Sequence, residues 1–421
     1  MNVLLVGATG FVGRHLLRAL QHAGHCVIAT SRTPQHQSWP GVEWRSLDLG
    51  RLAVDPEHFV FPESVDLLIN AAGLLSVDVA ELSRVQDQGT RVLFDLAAQR
   101  GVRVLQISAL GAAAQSDLPF LASKGLADDY LLSLGITAVV LRPSLVVGAG
   151  GTSSAWLAGL SPWPLIPLLD LKAQVQPVHI DDLVGAVMAL LRQWPAESMV
   201  LPLVGPEPMR LSQVVDHLRA AQGWEAGRYV QVPLLRLGGW LGDRLGWQVL
   251  NRQSIALAQQ DNVADPEVLA SVCGYTAAPL ASRLQDWPNA AISSQRTVRP
   301  LMLAVMVLIW LGTAAVCLGP GYDWGLRIMA EAGVQGTWAT LAVIGGSACD
   351  ALLGLGLLVK RWRRQALTLQ LLLMAGYTVF ISFVLPHYWF DPYAAVAKNL
   401  VLMVATVWLL WTEPFLNEPR R

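Results

Sequence analysis

The chain has 421 residues, enough for two or more domains. Hydrophobic residues make up 53% and charged ones only 14%, and the mean hydropathy of +0.43 excludes a wholly soluble globular protein. A formal net charge of −1 gives no electrostatic case for nucleic acid as a partner.

Taken in chain order, Val3 to Val6 reads as a short buried strand that runs straight into Gly7-x-x-Gly10-x-x-Gly13. An amphipathic helix follows, with Val12, Leu16, Leu17 and Leu20 on one face. Glycines at that spacing serve a tight turn, a close backbone approach to a pyrophosphate, and close packing of helix on sheet. The helix N-terminus offers unpaired N–H groups and the positive end of its dipole to the phosphates. Further strands are expected at Cys26 to Thr30, Val42 to Leu47, Val65 to Asn70, Val102 to Ser108 and Thr137 to Arg142. Crossover helices are expected at Gln86 to Arg100 and Ser123 to Leu134. That alternation predicts an α/β fold with a doubly wound parallel Rossmann sheet covered on both faces. From Gly148 to Pro177 the pattern gives way to an apolar stretch bearing Pro and Trp, and mixed segments continue to about Trp287, a small substrate subdomain.

The domain plan is therefore a dinucleotide-binding domain at 1–290, a linker at 291–299 and a four-helix transmembrane domain at 300–415. Apolar runs long enough to cross a bilayer lie at Pro300 to Gly319, Gly336 to Val359, Gln365 to Leu385 and Ala395 to Trp411. The basic cluster Lys360-Arg361-Trp362-Arg363-Arg364 separates the second run from the third, and the positive-inside rule puts it in the cytoplasm. Counting spans back and forward places the N-terminal domain and the C-terminal Arg420 and Arg421 on that side too, in a cell inner membrane. The N-terminus lacks the basic stretch and long apolar run of a signal peptide, in agreement. Cys26, Cys273, Cys317 and Cys349 lie too far apart for a metal spacing and are expected as reduced, mostly buried thiols. Asp350, the acidic residue deep in the second run, is expected to hydrogen-bond Tyr377 of the third. Gly346, Asp350 and Gly354 share one helical face, where a neighbouring helix can approach closely.

The first 290 residues resemble the extended and atypical branches of the short-chain dehydrogenase/reductase superfamily. The resemblance implies cofactor contacts from Gly7, Thr9, Gly10, Phe11, Val12 and Gly13, and from Ala71, Ala72 and Gly73 in Asn70-Ala-Ala-Gly73. It also implies that Asp48 holds the adenine amino group with Leu49 as a further cofactor contact, that Ser108 polarises the substrate, and that Lys124, the lysine of Tyr-x-x-x-Lys, holds the nicotinamide ribose. Arg142-Pro143-Ser144 and Gln176 to Asp182 resemble later signatures of the extended branch. Arg32 follows the second strand where a carboxylate usually binds the ribose hydroxyls, and a guanidinium there favours NADP(H) over NAD(H). Arg14 lies near the last glycine. One departure matters most: the catalytic Tyr is replaced by Phe120, which has no O–H to donate, and Gln86 stands where many relatives carry an Asn. His179 is expected to be structural, with Asp181 and Asp182 as helix N-caps and no metal.

The membrane part resembles the DoxX-like family through Pro386-His-Tyr-Trp-Phe-Asp-Pro392, Ala397-Lys-Asn-Leu400 and Trp411-Thr-Glu413. Together the resemblances imply a membrane-anchored oxidoreductase acting on a small apolar carbonyl or quinone, with Ser108 and Lys124 catalytic. The alternative is a dinucleotide sensor or assembly protein that does not turn its cofactor over. The segments Ala155 to Leu171 and Val232 to Leu250, rich in Leu and Trp, either pack a subdomain core or touch the inner leaflet.

Overall fold

The computed structural model describes residues 1–33, 40–168, 172–232, 239–240, 242–244, 251–392 and 394–417. It divides into two compact units, 1–293 and 294–421.

The first unit is built on a seven-stranded parallel sheet. Its strands are β1 (Asn2–Val6), β2 (Cys26–Ser31), β3 (Val42–Ser46), β4 (Leu67–Asn70), β5 (Arg103–Ile107), β6 (Ala138–Pro143) and Met199–Leu203. The order across the sheet is Met199–Leu203, β6, β5, β4, β1, β2, β3. A strand sends alternate side chains to opposite faces, so one covered on both sides must be apolar at every position. In β1, Val3 and Leu5 join one core with Leu16, Leu17 and Leu20 of α1 (Phe11–His22) and with Leu183, Val187 and Leu190 of the helix Ile180–Arg192. Leu4 and Val6 join the other core, with Leu93, Phe94 and Ala97 of the helix Gly89–Gln99 and Ala127 and Leu131 of the helix Pro119–Ser133. The chain direction across the sheet reverses between β1 and β4, and in such folds the ligand crevice opens at the carboxyl ends of the strands there.

Three features differ from the sequence expectation. The crossover helix before β5 begins as a π-helical segment, Ser83–Gln88, before becoming α-helical at Gly89. There a Cβ would lie 1.9 Å from the Leu49 carbonyl oxygen, so the tight approach of two segments admits only glycine. Asp181 and Asp182 are not the N-caps of the helix Ile180–Arg192: His179 caps it, its Nδ1 accepting from the Asp181 N–H at 3.3 Å. Asp182 instead lies fully buried, accepting from Arg283 Nη2 at 2.7 Å and Tyr275 Oη at 2.9 Å, and so ties the end of the unit to its sheet-covering helix. Among the cysteines only Cys273 is buried.

Among the described residues, four helices are long and apolar enough to cross a membrane, and the second unit holds all but the opening residues of the first: Ala290–Leu318, Thr337–Leu358, Arg363–Val384 and the stretch Val396–Glu413 of the helix Ala395–Asn417. The stretch read as a linker, 291–299, continues as the opening turns of the first of these. A further helix, Tyr322–Glu331, lies between the first and second spans. The outer surface of the bundle carries Leu308, Leu352, Phe383, Val401 and Val404, each at least 68% exposed, a surface that suits lipid and not water. Buried Arg299 and Glu413 form an ion pair, and Arg363 Nη1 stands 3.8 Å from Glu413 Oε1. The start of the first span, the start of the third and the end of the fourth therefore meet at one end of the bundle.

The expected Asp350–Tyr377 hydrogen bond does not form among the described residues. The Tyr377 hydroxyl instead fills the notch at Gly346, one turn away, where a Cβ would stand 3.3 Å from it. Gly354 does admit a close neighbour: its missing Cβ would lie 3.0 Å from Leu311 and 3.2 Å from Trp310.

Candidate functional site

The glycine turn joins β1 to α1 at the crevice. Gly7 has φ +77°, a conformation that L side chains rarely adopt. A Cβ on Gly7 would lie 2.8 Å from the Ala72 Cα, so the loops after β1 and β4 touch backbone to backbone. Gly13, buried in α1, sits so close to the turn that a Cβ would stand 2.1 Å from the Gly7 carbonyl oxygen. Gly10 is the N-cap of α1; it supplies no side-chain cap, and the first turn carries no acidic residue. The first N–H groups of a three-turn helix are thus left for an anion. Thr9 and Gly10 are exposed, Phe11 and Val12 half-buried. These features fit a dinucleotide pyrophosphate.

The structure brings the other expected cofactor residues to the same strand ends. Asn70 closes β4; its Nδ2 donates to Gln106 Oε1 at 2.8 Å and its Oδ1 accepts from the Ala72 N–H at 3.1 Å, fixing the loop Ala71 to Gly73. Arg32 is exposed just past β2. Asp48 Oδ1 caps the short helix Leu49–Leu52, accepting from the Gly50 N–H at 2.8 Å, and Leu49 is buried. Arg14 turns elsewhere: its Nη2 donates to the Gly150 carbonyl at 3.0 Å and latches α1 to the loop after β6.

Ser108 and Lys124 lie at the end of β5 and on the helix Pro119–Ser133, each about 5% exposed or less. Lys124 Nζ donates to the Ile107 carbonyl at 3.0 Å and stands 5.9 Å from the Phe120 ring centroid. Ser108 Oγ donates to Asp128 Oδ2 at 2.6 Å, and Arg142 reaches the same oxygen through Nη2 at 2.9 Å and Nε at 3.1 Å. Asp128 is not among the residues that the sequence motifs single out. The signal for it is its spacing: four residues after Lys124, it shares that helical face.

Burial pushes the Lys124 ammonium down to about 8, with Asp128 pulling the other way. Burial likewise raises the Asp128 carboxyl, opposed by the hydrogen bonds from Ser108 and Arg142 and by the charges of Arg142 and Lys124. Loss of the Lys124 proton beside the Asp128–Arg142 pair would leave the cluster with no net charge, and burial lowers the cost of that loss. Gln86, in the π-helical segment, donates through Nε2 to the Leu74 carbonyl while its buried Oε1 has no hydrogen-bond partner among the described residues. The Leu- and Trp-rich stretch after residue 155 forms a subdomain core in which Leu157, Leu160, Ile166 and Leu168 pack, whereas 233–238, 241 and 245–250 lie outside the described residues.

A parallel sheet of this order with a glycine-rich turn at its switch point defines an NAD(P)-binding Rossmann protein. Residues 3–200 match the model of the NAD dependent epimerase/dehydratase family, and residues 306–407 match that of the DoxX-like family. The chain is 31% identical to a ceramide reductase of Caulobacter vibrioides over 193 residues, 45% of this chain and 61% of that one. It is 25% identical to the mitochondrial NADH dehydrogenase [ubiquinone] 1 alpha subcomplex subunit 9 of Dictyostelium discoideum over 231 residues, 50% of this chain and 61% of that one. The chain thus spans about three fifths of the length of these relatives, 61% in each case. Among solved structures, MoeE5 in complex with UDP-glucuronic acid and NAD superposes with a TM-score of 0.53 at 21% identity, covering 70% of this chain and all of that one. It shares the fold.

Proposed function

We propose that the protein is a membrane-anchored NADP(H)-dependent reductase of an apolar carbonyl or quinone-like acceptor. The observation that carries this reading is the juxtaposition of a glycine turn that no Cβ would fit with a buried lysine lowered to about 8 at the same strand ends. Gly7 to Gly13 would hold the pyrophosphate, Ala71 to Gly73 would flank the cofactor, Asp48 would hold the adenine and Arg32 a 2′-phosphate. When bound, NADP(H) supplies hydride from its nicotinamide. Lys124 holds the proton that the acceptor oxygen needs. With a value near 8 it populates both forms close to neutrality, so it can give a proton and regain one from water. Ser108 has its own proton engaged by Asp128, so its lone pairs could accept from Lys124 or from the hydroxyl of the reduced product. Phe120 leaves no phenol to compete for that role. A reductase named for a membrane lipid among the relatives supports an apolar acceptor.

The anchor keeps such an acceptor within reach, with the first unit and the basic cluster at 360–364 on the cytoplasmic side of a cell inner membrane. The test is the oxidation of NADPH by native membranes carrying the protein, with a long-chain ketone or a quinone as acceptor. Turnover is expected with NADPH in preference to NADH, and Arg32→Glu is expected to reverse that preference by about tenfold to a hundredfold. Retained NADPH preference in Arg32→Glu would remove the assignment of the 2′-phosphate.

A second reading, a dinucleotide-holding sensor or assembly protein, is favoured by the absence of a phenol at Phe120. It also draws on a relative named photosystem II assembly factor Ycf39 in Synechocystis, 22% identical over 56% of this chain and 71% of that one. Tight NADPH binding with no acceptor-dependent oxidation would select it.

A further inference from the structure

We propose that one face of the subdomain in the first unit lies on the phospholipid surface of the membrane that the same chain spans. The face is built on two parallel strands, Leu165–Leu168 and Arg228–Gln231, with Leu165 opposite Arg228 and Pro167 opposite Val230. Alternation sends Ile166, Leu168 and Tyr229 inward to the subdomain core, where they meet Leu160, Val214 and Leu218. The outward set is Leu165, Arg228, Pro167 and Val230, apolar apart from the arginine, and Gln231 at the strand end is exposed as well. Leu165 is 51% exposed and Val230 37%. A sheet face turned to water ordinarily carries polar side chains.

Trp224 lies in the turn that precedes the second of these strands. Arg219 bonds the Ser161 and Trp163 carbonyls through Nη1 and the Glu225 carbonyl through Nε, which pins the Trp224–Glu225 turn against the segment leading into Leu165. Trp224 is 43% exposed there. Trp, aliphatic side chains and an arginine on one surface are the composition of an interfacial contact.

The course of the chain argues that lipid covers this face. Leu284 is buried in the same subdomain core and Trp287 packs against it. Three residues after Trp287 begins the helix Ala290–Leu318, whose apolar window has mean hydropathy 2.5. The last packed residues of the first unit thus belong to the lobe that carries the apolar face, and the apolar helix follows them directly in the chain.

The inference stands apart from the nucleotide reading, since lipid contact requires no turnover. It is tested with the full chain in proteoliposomes of phosphatidylcholine and phosphatidylglycerol bearing a clickable acyl chain. The photocrosslinker p-benzoylphenylalanine is placed at Leu165 or Val230, and at Val60, 78% exposed beside the other core of the unit, as the control. Lipid adducts at the first two positions are expected to exceed those at Val60 by about fivefold or more. Equal yields at all three positions would overturn the proposal, and so would a crosslinked dimer in place of the lipid adduct, which would assign the face to a second copy. The unaltered chain gives a second readout. Amides of 224–231 are expected to exchange more slowly in lipid nanodiscs than in lipid-free amphipol, and identical exchange would also overturn it.

Discussion

Gly13→Ala is expected to raise the dissociation constant for NADPH by about a hundredfold and to destabilise the first unit by about 1–3 kcal/mol. The added methyl carbon would stand 2.1 Å from the Gly7 oxygen, 2.8 Å from its carbonyl carbon and 2.9 Å from the Ala8 Cα. All three are backbone atoms, so no side chain can swing aside. Either α1 withdraws from the sheet or the turn opens, and both misplace the N–H groups that would meet the pyrophosphate. Binding by fluorescence titration and unfolding in urea read the two effects separately. If the Gly13→Ala protein binds NADPH as the original does, the turn is only a turn.

Replacing Lys124 by Met is expected to lower acceptor-dependent NADPH oxidation by about 10²–10⁴ without lowering the thermal midpoint at pH 7. The reason lies in the direction of its shift. An unfolded lysine titrates near about 10.4, and burial brings this one down to about 8 in the fold. Between those values the unfolded chain binds more protons than the folded chain, so this group's contribution to stability rises as the pH climbs through that window. Below 8 the charged amine is buried at full penalty, which methionine does not bear. The relative stability of the variant should therefore decline from about pH 8 toward about pH 10. If the proposed reaction holds, the original protein should lose rate above about pH 8 as the protonated form of Lys124 empties, while the residual rate of Lys124→Met should not follow that profile. Turnover in the variant within about threefold of the original would take Lys124 out of the proton path.

The parts of this molecule legible in the sequence are those written in local periodicity. β1, the glycine spacing and α1 are contiguous, and each is decided by neighbours a few residues away. The four apolar spans are likewise set by composition over about 20 residues. What the sequence hid is long-range. Asp182 looks like a cap because it starts a helix, yet its partners Tyr275 and Arg283 come 93 and 101 residues later. Arg14 is the sequence neighbour of Gly13, but its Nη2 donates to the Gly150 carbonyl 136 residues on. Tyr377 and Asp350 match in depth, but matching depth along two helices does not fix their rotation, and the small Gly346 offers the tyrosine a closer seat. Asp128 was hidden for a different reason: a carboxylate inside a helix reads as a solvated face until β5 and β6 bring Ser108 and Arg142 to it.

The account rests on a dinucleotide seated over the glycine turn, and hydrogen exchange of the full chain in nanodiscs with and without NADPH measures that directly. Amides of residues 8–14 and 71–73 are predicted to slow on adding the nucleotide, with no comparable change at the far ends of β1 and β4. Binding of NADPH that leaves those amides unchanged, or no binding at millimolar nucleotide, would contradict it.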